Sequence, residues 1–222
     1  MMIDALKRLA NQLPAHLQQE LKRLHFAGKL RRGTFVTEEP EFARLSDWLR
    51  EGDWAIDVGA NIGHYTTRMS QLVGRTGRVF AIEPVPRTFE LLAANVASLP
   101  LPNVSLVNAA ASDHCGILGM AMPHFDHGLV NYYEARIVTE SPDVHVLAIA
   151  LDSLQLPESI KLIKIDVESH ELLALKGMTA LIERDHPTII VEGVDQDVEA
   201  FLGERGYRFE AAAGSPNRVY YP

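Results

Sequence analysis

From residue 54 onward, short apolar runs rich in β-branched residues alternate with stretches of helical periodicity. This narrows the fold most: it is the pattern of βαβ units around a parallel sheet buried on both faces. The spacing predicts strands at 55–59, 78–83 and 104–109, with helices at 63–73 and 87–98 between them. Further strands are expected at 117–122, 144–150, 162–167 and 188–192, and helices at 171–176 and 195–204. A closing antiparallel hairpin of 207–210 and 218–221 would turn around Gly214-Ser215-Pro216-Asn217. The crossover into 162–167 is unusually long, and its loop 123–142, with His124, Asp126, His127, Asn131, Tyr132 and Tyr133, reads as a polar lid rather than a zinc site. Ahead of this core, Ile3, Leu6, Ala10, Leu13, Leu17, Leu21 and Leu24 recur at helical spacing, broken at Pro14 and expected to stop at Gly28. A second helix is expected from Thr37, an N-cap, to Gly52, burying Phe42, Leu45 and Leu49. The chain therefore reads as a helical extension, residues 1–51, serving as lid or homodimer contact, and one α/β domain, residues 52–222.

Composition removes several function classes. A chain of 222 residues, 47% hydrophobic, can bury a sizeable core, which excludes a disordered tail. The net charge is −8, and no basic run exceeds Lys29-Leu30-Arg31-Arg32, so nucleic acid is not an expected partner. The longest apolar stretch, 144–151, is interrupted by His145 and falls far short of the roughly 20 residues of a membrane-spanning helix. The start lacks the apolar core and cleavage site of a signal peptide, and Cys115 is the single cysteine, so a reducing cytoplasm is expected.

The first strand runs into Asp57-Val58-Gly59-Ala60-Asn61-Ile62-Gly63, where Gly59 and Gly63 let backbone approach a ligand that any Cβ would block. Glu83 ends the next strand, where its carboxylate can accept both hydroxyls of a ribose. This pairing suits dinucleotides and S-adenosylmethionine alike. Asn61 stands where a dinucleotide fingerprint has its middle glycine, and the closing hairpin suits a methyltransferase sheet. A glycine turn that is merely a tight βα connection, with Asp57 an ordinary buried acid, is the plainer alternative.

The chain resembles the FkbM family of S-adenosylmethionine-dependent methyltransferases over roughly residues 52–193. The resemblance rests on the glycine loop, Ala81-Ile82-Glu83-Pro84, Asn108-Ala109-Ala110-Ala111-Ser112-Asp113, Leu151-Asp152-Ser153-Leu154, and Leu162-Ile163-Lys164-Ile165-Asp166-Val167-Glu168-Ser169-His170-Glu171 with Leu175-Lys176-Gly177 after it. The family commonly has glycine where Ser169 stands and an aromatic residue where His64 stands. The resemblance implies a Rossmann-like class I methyltransferase fold and methyl transfer, often to a hydroxyl of a sugar, lipid or secondary metabolite. It places Asp57, Gly59, Asn61, Gly63, Glu83, Asn108, Ala109 and Asp166 around the cofactor.

A hydroxyl acceptor must lose a proton, which calls for a base or a metal at the carboxyl ends of the strands. Asp166 and Glu192 end two strands expected to be neighbours, and Glu168, His170 and Glu171 follow within a turn. His170 is the first candidate for the base, oriented by Glu168, Glu171 or Glu192. Asp166 with Glu192 could instead hold Mg²⁺, although Glu192 could pair with Lys164 and acids near helix N-termini are favoured without any metal. O-methylation of a small molecule is the first reading. N-methylation, an NAD(P)-dependent oxidoreductase and a non-catalytic nucleoside-binding module are the alternatives.

Overall fold

A computed structural model describes residues 13–123, 135–211 and 213–222. The strands are β1 (Trp54–Val58), β2 (Arg78–Ile82), β3 (Val104–Val107), β4 (Ala110–Ala111), β5 (Gly116–Ala121), β6 (Arg136–Val138), β7 (Val144–Ile149), β8 (Ile160–Ile165), β9 (Thr188–Glu192), β10 (Arg208–Ala211) and β11 (Asn217–Tyr221). The helices are α1 (Ala15–Arg31), α2 (Pro40–Ala43), α3 (Leu45–Trp48), α4 (His64–Val73), α5 (Pro86–Val96), α6 (Glu171–Lys176), α7 (Thr179–Asp185) and α8 (Gln196–Gly203), with a 3₁₀ turn at Leu151–Leu154. Seven strands form one sheet in the order β10-β11-β9-β8-β1-β2-β3. The pairs from β9 to β3 are parallel, and β11 runs antiparallel to both β9 and β10. This is the expected mixed α/β architecture with its closing hairpin.

Strand alternation splits the core between the two faces of the sheet. Ile56, Val58, Ile163 and Ile165 point to the side covered by α6, α7 and α8 through Leu175, Ile182 and Leu202. Ala55, Val79, Leu162 and Ile190 point to the other, where Tyr65, Met69 and Val73 of α4 meet Phe42, Leu45 and Leu49. The expected extension thus divides: its second half shares the main core, while α1 lies along α5, with Gln19 Nε2 donating to Arg87 O at 2.6 Å.

Two helix boundaries differ from expectation. α1 runs through Gly28 and ends at Arg31, because the left-handed residue that breaks a helix is Gly33 (φ 68°), where Thr34 N donates to Lys29 O and Gly33 N to Leu30 O, both at 3.0 Å. The helix expected over 37–52 is two short helices, starting after Glu39 rather than Thr37 and separated at Arg44, where ψ is 0°. The long crossover builds a second sheet, β4-β7-β5-β6, closed by Val85, Ala110, Met120, Ala135 and Val146. The loop read as a lid therefore includes strand β6. Its residues His124, Asp126, His127, Asn131, Tyr132 and Tyr133, and the first amphipathic stretch with Ile3, Leu6 and Ala10, lie outside the described residues.

Candidate active site

The carboxyl ends of β1, β2, β8 and β9 open into one cavity, which the second sheet borders with Met120, Ala135 and Ile137. Gly59, Asn61, Glu83, Ala109, Asp166, Glu168, His170 and Glu192 line it among the described residues, so eight of the sequence-derived candidates come together. Asp57, Gly63 and Asn108 do not line it. Asn108 holds the Glu83 loop from behind, Asp57 binds Thr66 of α4, and Gly63 packs toward Leu92 of α5.

Gly59 (φ 75°) exists because β1 and β8 leave no room beside it: a Cβ there would lie 1.7 Å from Asp166 O. The glycine thus locks the turn after β1 against the end of β8. Gly63 (φ 93°) faces away from the cavity, where its Cβ would meet Leu92 Cδ1 of α5 at 2.7 Å, so it serves helix packing rather than ligand approach. Asp57 is buried in β1 beside Lys164, its register partner on β8, and accepts from Thr66 Oγ1 of α4. Desolvation pushes its carboxyl up to about 6, against the Thr66 hydrogen bond and the Lys164 charge.

Glu83 continues β2 by donating its N–H to Val107 O at 3.0 Å, and its side chain is 5% exposed. Its two oxygens accept from Asn61 N and Val85 N, each at 2.9 Å. Burial outweighs these bonds and pushes the carboxyl up to about 7. Asn108 Nδ2 donates to Glu83 O at 2.8 Å and Pro84 O at 3.0 Å, so it shapes the loop carrying the acid. Ile82, Val85, Ala109 and Ala111 give the cavity an apolar wall beside this carboxyl.

At the other strand ends, Asp166 and Glu192 face each other across the parallel pair β8–β9 and share a hydrogen bond, which with burial holds the Glu192 carboxyl well above the usual carboxylate range. Lys164 Nζ lies 3.7 Å from Asp166 Oδ2, so the ion pair expected with Glu192 forms with Asp166 instead. Among the described residues no group of three or more His, Cys, Asp or Glu is arranged to hold a metal ion. Glu168 and Ser169 both adopt left-handed backbone (φ 48° and 70°), which turns the chain sharply into α6 and explains why glycine suits position 169. His170 follows, nearly buried, with Nε2 3.0 Å from Ser112 Oγ. Ser112 takes the orienting role expected of Glu168, Glu171 or Glu192. Burial lowers the imidazole's proton affinity, against the Asp113 charge that raises it. Met120 and Ile137 carry no local signal of a site in the sequence, because the long crossover brings them here, and Ser112 lies in a motif of the resemblance that gave it no role.

Comparisons with known proteins bear on the family and the fold. A family model described as the methyltransferase FkbM domain matches residues 57–209. The hexuronic acid methyltransferase AglP of Haloferax volcanii is 32% identical over 174 residues, covering 75% of this chain and 68% of that protein. A protein-L-isoaspartate O-methyltransferase of Methanothrix thermoacetophila is 26% identical over 47% of this chain and 51% of its own length. The crystal structure of methyltransferase FkbM from Methylobacillus flagellatus superposes with a TM-score of 0.58 at 17% identity; it covers 99% of this chain, which spans 58% of that one.

Proposed function

Because the chain belongs to the FkbM methyltransferase family, we propose that it uses S-adenosylmethionine to methylate a hydroxyl of a small molecule, with sugars and uronic acids the first acceptors to test and lipids and secondary metabolites next. The observation that carries this reading is one cavity bordered both by Glu83 beside the glycine turn and by His170 with the Asp166–Glu192 pair. The acceptor class draws on the hexuronic acid methyltransferase among its relatives. Family membership weighs against the oxidoreductase and the non-catalytic binding module, and N-methylation remains an outcome of the test.

The residues present fit the cofactor. A buried carboxyl at the end of β2 suits a ribose diol, and the apolar wall of Ile82, Val85 and Ala109 suits a base. Gly59, Asn61, Glu83, Ala109 and Asp166 would hold it, with Asp57, Gly63 and Asn108 supporting from behind. When bound, S-adenosylmethionine supplies a methyl group on a positively charged sulfur, which an acceptor oxygen displaces in line. The protein's part is alignment, exclusion of water by the second sheet, and removal of the hydroxyl proton. His170 is the base in this reading, since burial keeps it neutral and able to take a proton near pH 7.

The test is transfer of labelled methyl from S-adenosylmethionine to a panel of sugars, uronic acids, glycolipids and amines. Label appearing in a hydroxyl compound is expected, and label confined to amines would replace the reading with N-methylation. His170→Ala should lower turnover about a hundredfold with S-adenosylhomocysteine affinity nearly unchanged. Activity should persist in chelator; loss restored by Mg²⁺ and copied by Glu192→Gln would give the proton to a metal site at Asp166 and Glu192 instead. The homodimer contact is proposed for α1, whose Leu17, Leu21 and Leu24 are exposed, and sedimentation of the full chain tests it.

A further inference from the structure

His170 is the inner end of a hydrogen-bonded chain that reaches the surface. Its Nε2 lies 3.0 Å from Ser112 Oγ, which is fully buried. Ser112 Oγ donates to Asp113 Oδ1 at 3.2 Å, and the same oxygen lies 2.6 Å from His114 Nδ1. Asp113 and His114 are 40% and 59% exposed. The chain links the cavity to water through four consecutive side chains.

Hydrogen-bond bookkeeping gives this chain a direction. A serine hydroxyl has one proton, and Ser112 gives it to Asp113, so Ser112 Oγ can only accept from His170. Neutral His170 is then protonated on Nε2, which leaves the lone pair on Nδ1 as its basic atom. Close approach of α6 makes the contact possible: a Cβ at Gly177 would lie 1.8 Å from Ser112 O, so only glycine lets the end of α6 pack on the segment just after β4 that carries Ser112. Asp113 and His114 are the titratable groups on the outer side of His170, while Asp166, Glu168 and Glu192 border the same cavity.

We infer that Ser112 and Asp113 form a hydrogen-bonded relay that fixes the tautomer of His170 and stabilises the imidazolium formed when it takes the acceptor's proton. The inference rests on the methyl-transfer reading above and adds two positioning residues to it. The hydroxyl proton passes to His170 Nδ1 as the oxygen gains the methyl group. The resulting imidazolium keeps its Nε2 proton, donated to Ser112 Oγ, and the Asp113 carboxylate stabilises it through that hydroxyl. Water entering the cavity after product release takes the Nδ1 proton, which returns His170 to its neutral Nε2–H form with no proton gained or lost.

The test separates the relay from simple packing. In the full-length protein, nitrogen shifts should show neutral His170 as the Nε2–H tautomer, a bias that Ser112→Ala removes, and Asp113→Asn should lower the pH at which His170 titrates. With the acceptor identified by the panel, Asp113→Asn and Ser112→Ala should each lower kcat about tenfold with little change in KM, because the group they serve acts in the transition state. Added imidazole should restore much of the rate, and Asp113→Glu should keep most of it. An Nδ1–H tautomer, unchanged rates in both variants, or a loss that neither imidazole nor Asp113→Glu repairs would overturn the relay. If no acceptor is labelled while the tautomer and titration results hold, the function fails and the hydrogen-bonded relay stands.

Discussion

Glu83 joins structure to ligand binding through one proton. Its carboxyl is held near pH 7 by burial, so a form able to accept two ribose hydroxyls must first be ionised. S-adenosylhomocysteine binding should therefore tighten as pH rises from about 6 to about 8, by at most about tenfold per unit, with proton release seen as a buffer-dependent calorimetric heat. Glu83→Ala should weaken binding at least about tenfold while the protein stays folded, and affinity that is flat in pH would remove the carboxylate from ribose recognition. The sign for stability is the reverse of the common carboxylate case. The folded group titrates above its ordinary 4.5, so its contribution is present below that value and is lost as pH rises through about 7. Glu83→Gln should flatten that part of the stability profile. At Ser169, a left-handed backbone (φ 70°) costs a side-chain-bearing residue about 1–2 kcal/mol, partly offset in glycine by its greater unfolded-state entropy. Ser169→Gly should raise stability by about 0.5–1 kcal/mol, read as a rise in Tm of a few degrees.

At the scale of elements, the turn between β1 and α4 carries two glycines with separate duties. Gly59 holds the turn against β8, and Gly63 holds α4 against α5. Gly59→Ala should displace the turn from Asp166 and abolish S-adenosylhomocysteine binding together with a large loss of stability. Gly63→Val should cost roughly 2–4 kcal/mol, set by the strained φ and the collision with Leu92 rather than by a lost ligand contact. The discriminating measurement is a double-mutant cycle, in which Gly63→Ala should cost less in a Leu92→Ala background than alone. A spacing argument sees two glycines flanking a loop and gives both to the ligand. The direction in which each absent Cβ would point depends on φ, and only the folded backbone supplies that.

For the molecule as a whole, we propose that the boundary between extension and α/β domain falls within the first fifty residues rather than after residue 51. Phe42, Leu45 and Leu49 are 7%, 0% and 1% exposed in the core shared with β1, β2 and α4, whereas α1 contacts the domain mainly along α5. Deleting residues up to 33 should leave a cooperatively folding protein, while deleting up to 51 should abolish folding, since losing buried large side chains costs about 2–5 kcal/mol each against a total of about 5–15. Thermal unfolding of the two truncations checks this, and a folded protein starting at residue 52 would restore the boundary expected from sequence.

The βα alternation, the closing hairpin, the neighbouring ends of β8 and β9, and the candidates Gly59, Asn61, Glu83, Asp166, Glu168, His170 and Glu192 were legible in the sequence, because each rests on local periodicity or on the rule that parallel strands present their carboxyl ends to ligands. Tertiary structure decided what depends on partners far along the chain. α7 gave no local start signal, since the cap for Ala180 N and Leu181 N comes from Asp152, whose oxygens accept both at 2.9 Å. Strands β4 and β6 are two and three residues long, too short for a period to register, and exist through pairing with β7 and β5. The partner of His170 was Ser112, 58 positions away, because the long crossover rather than the helix around His170 determines what its imidazole meets.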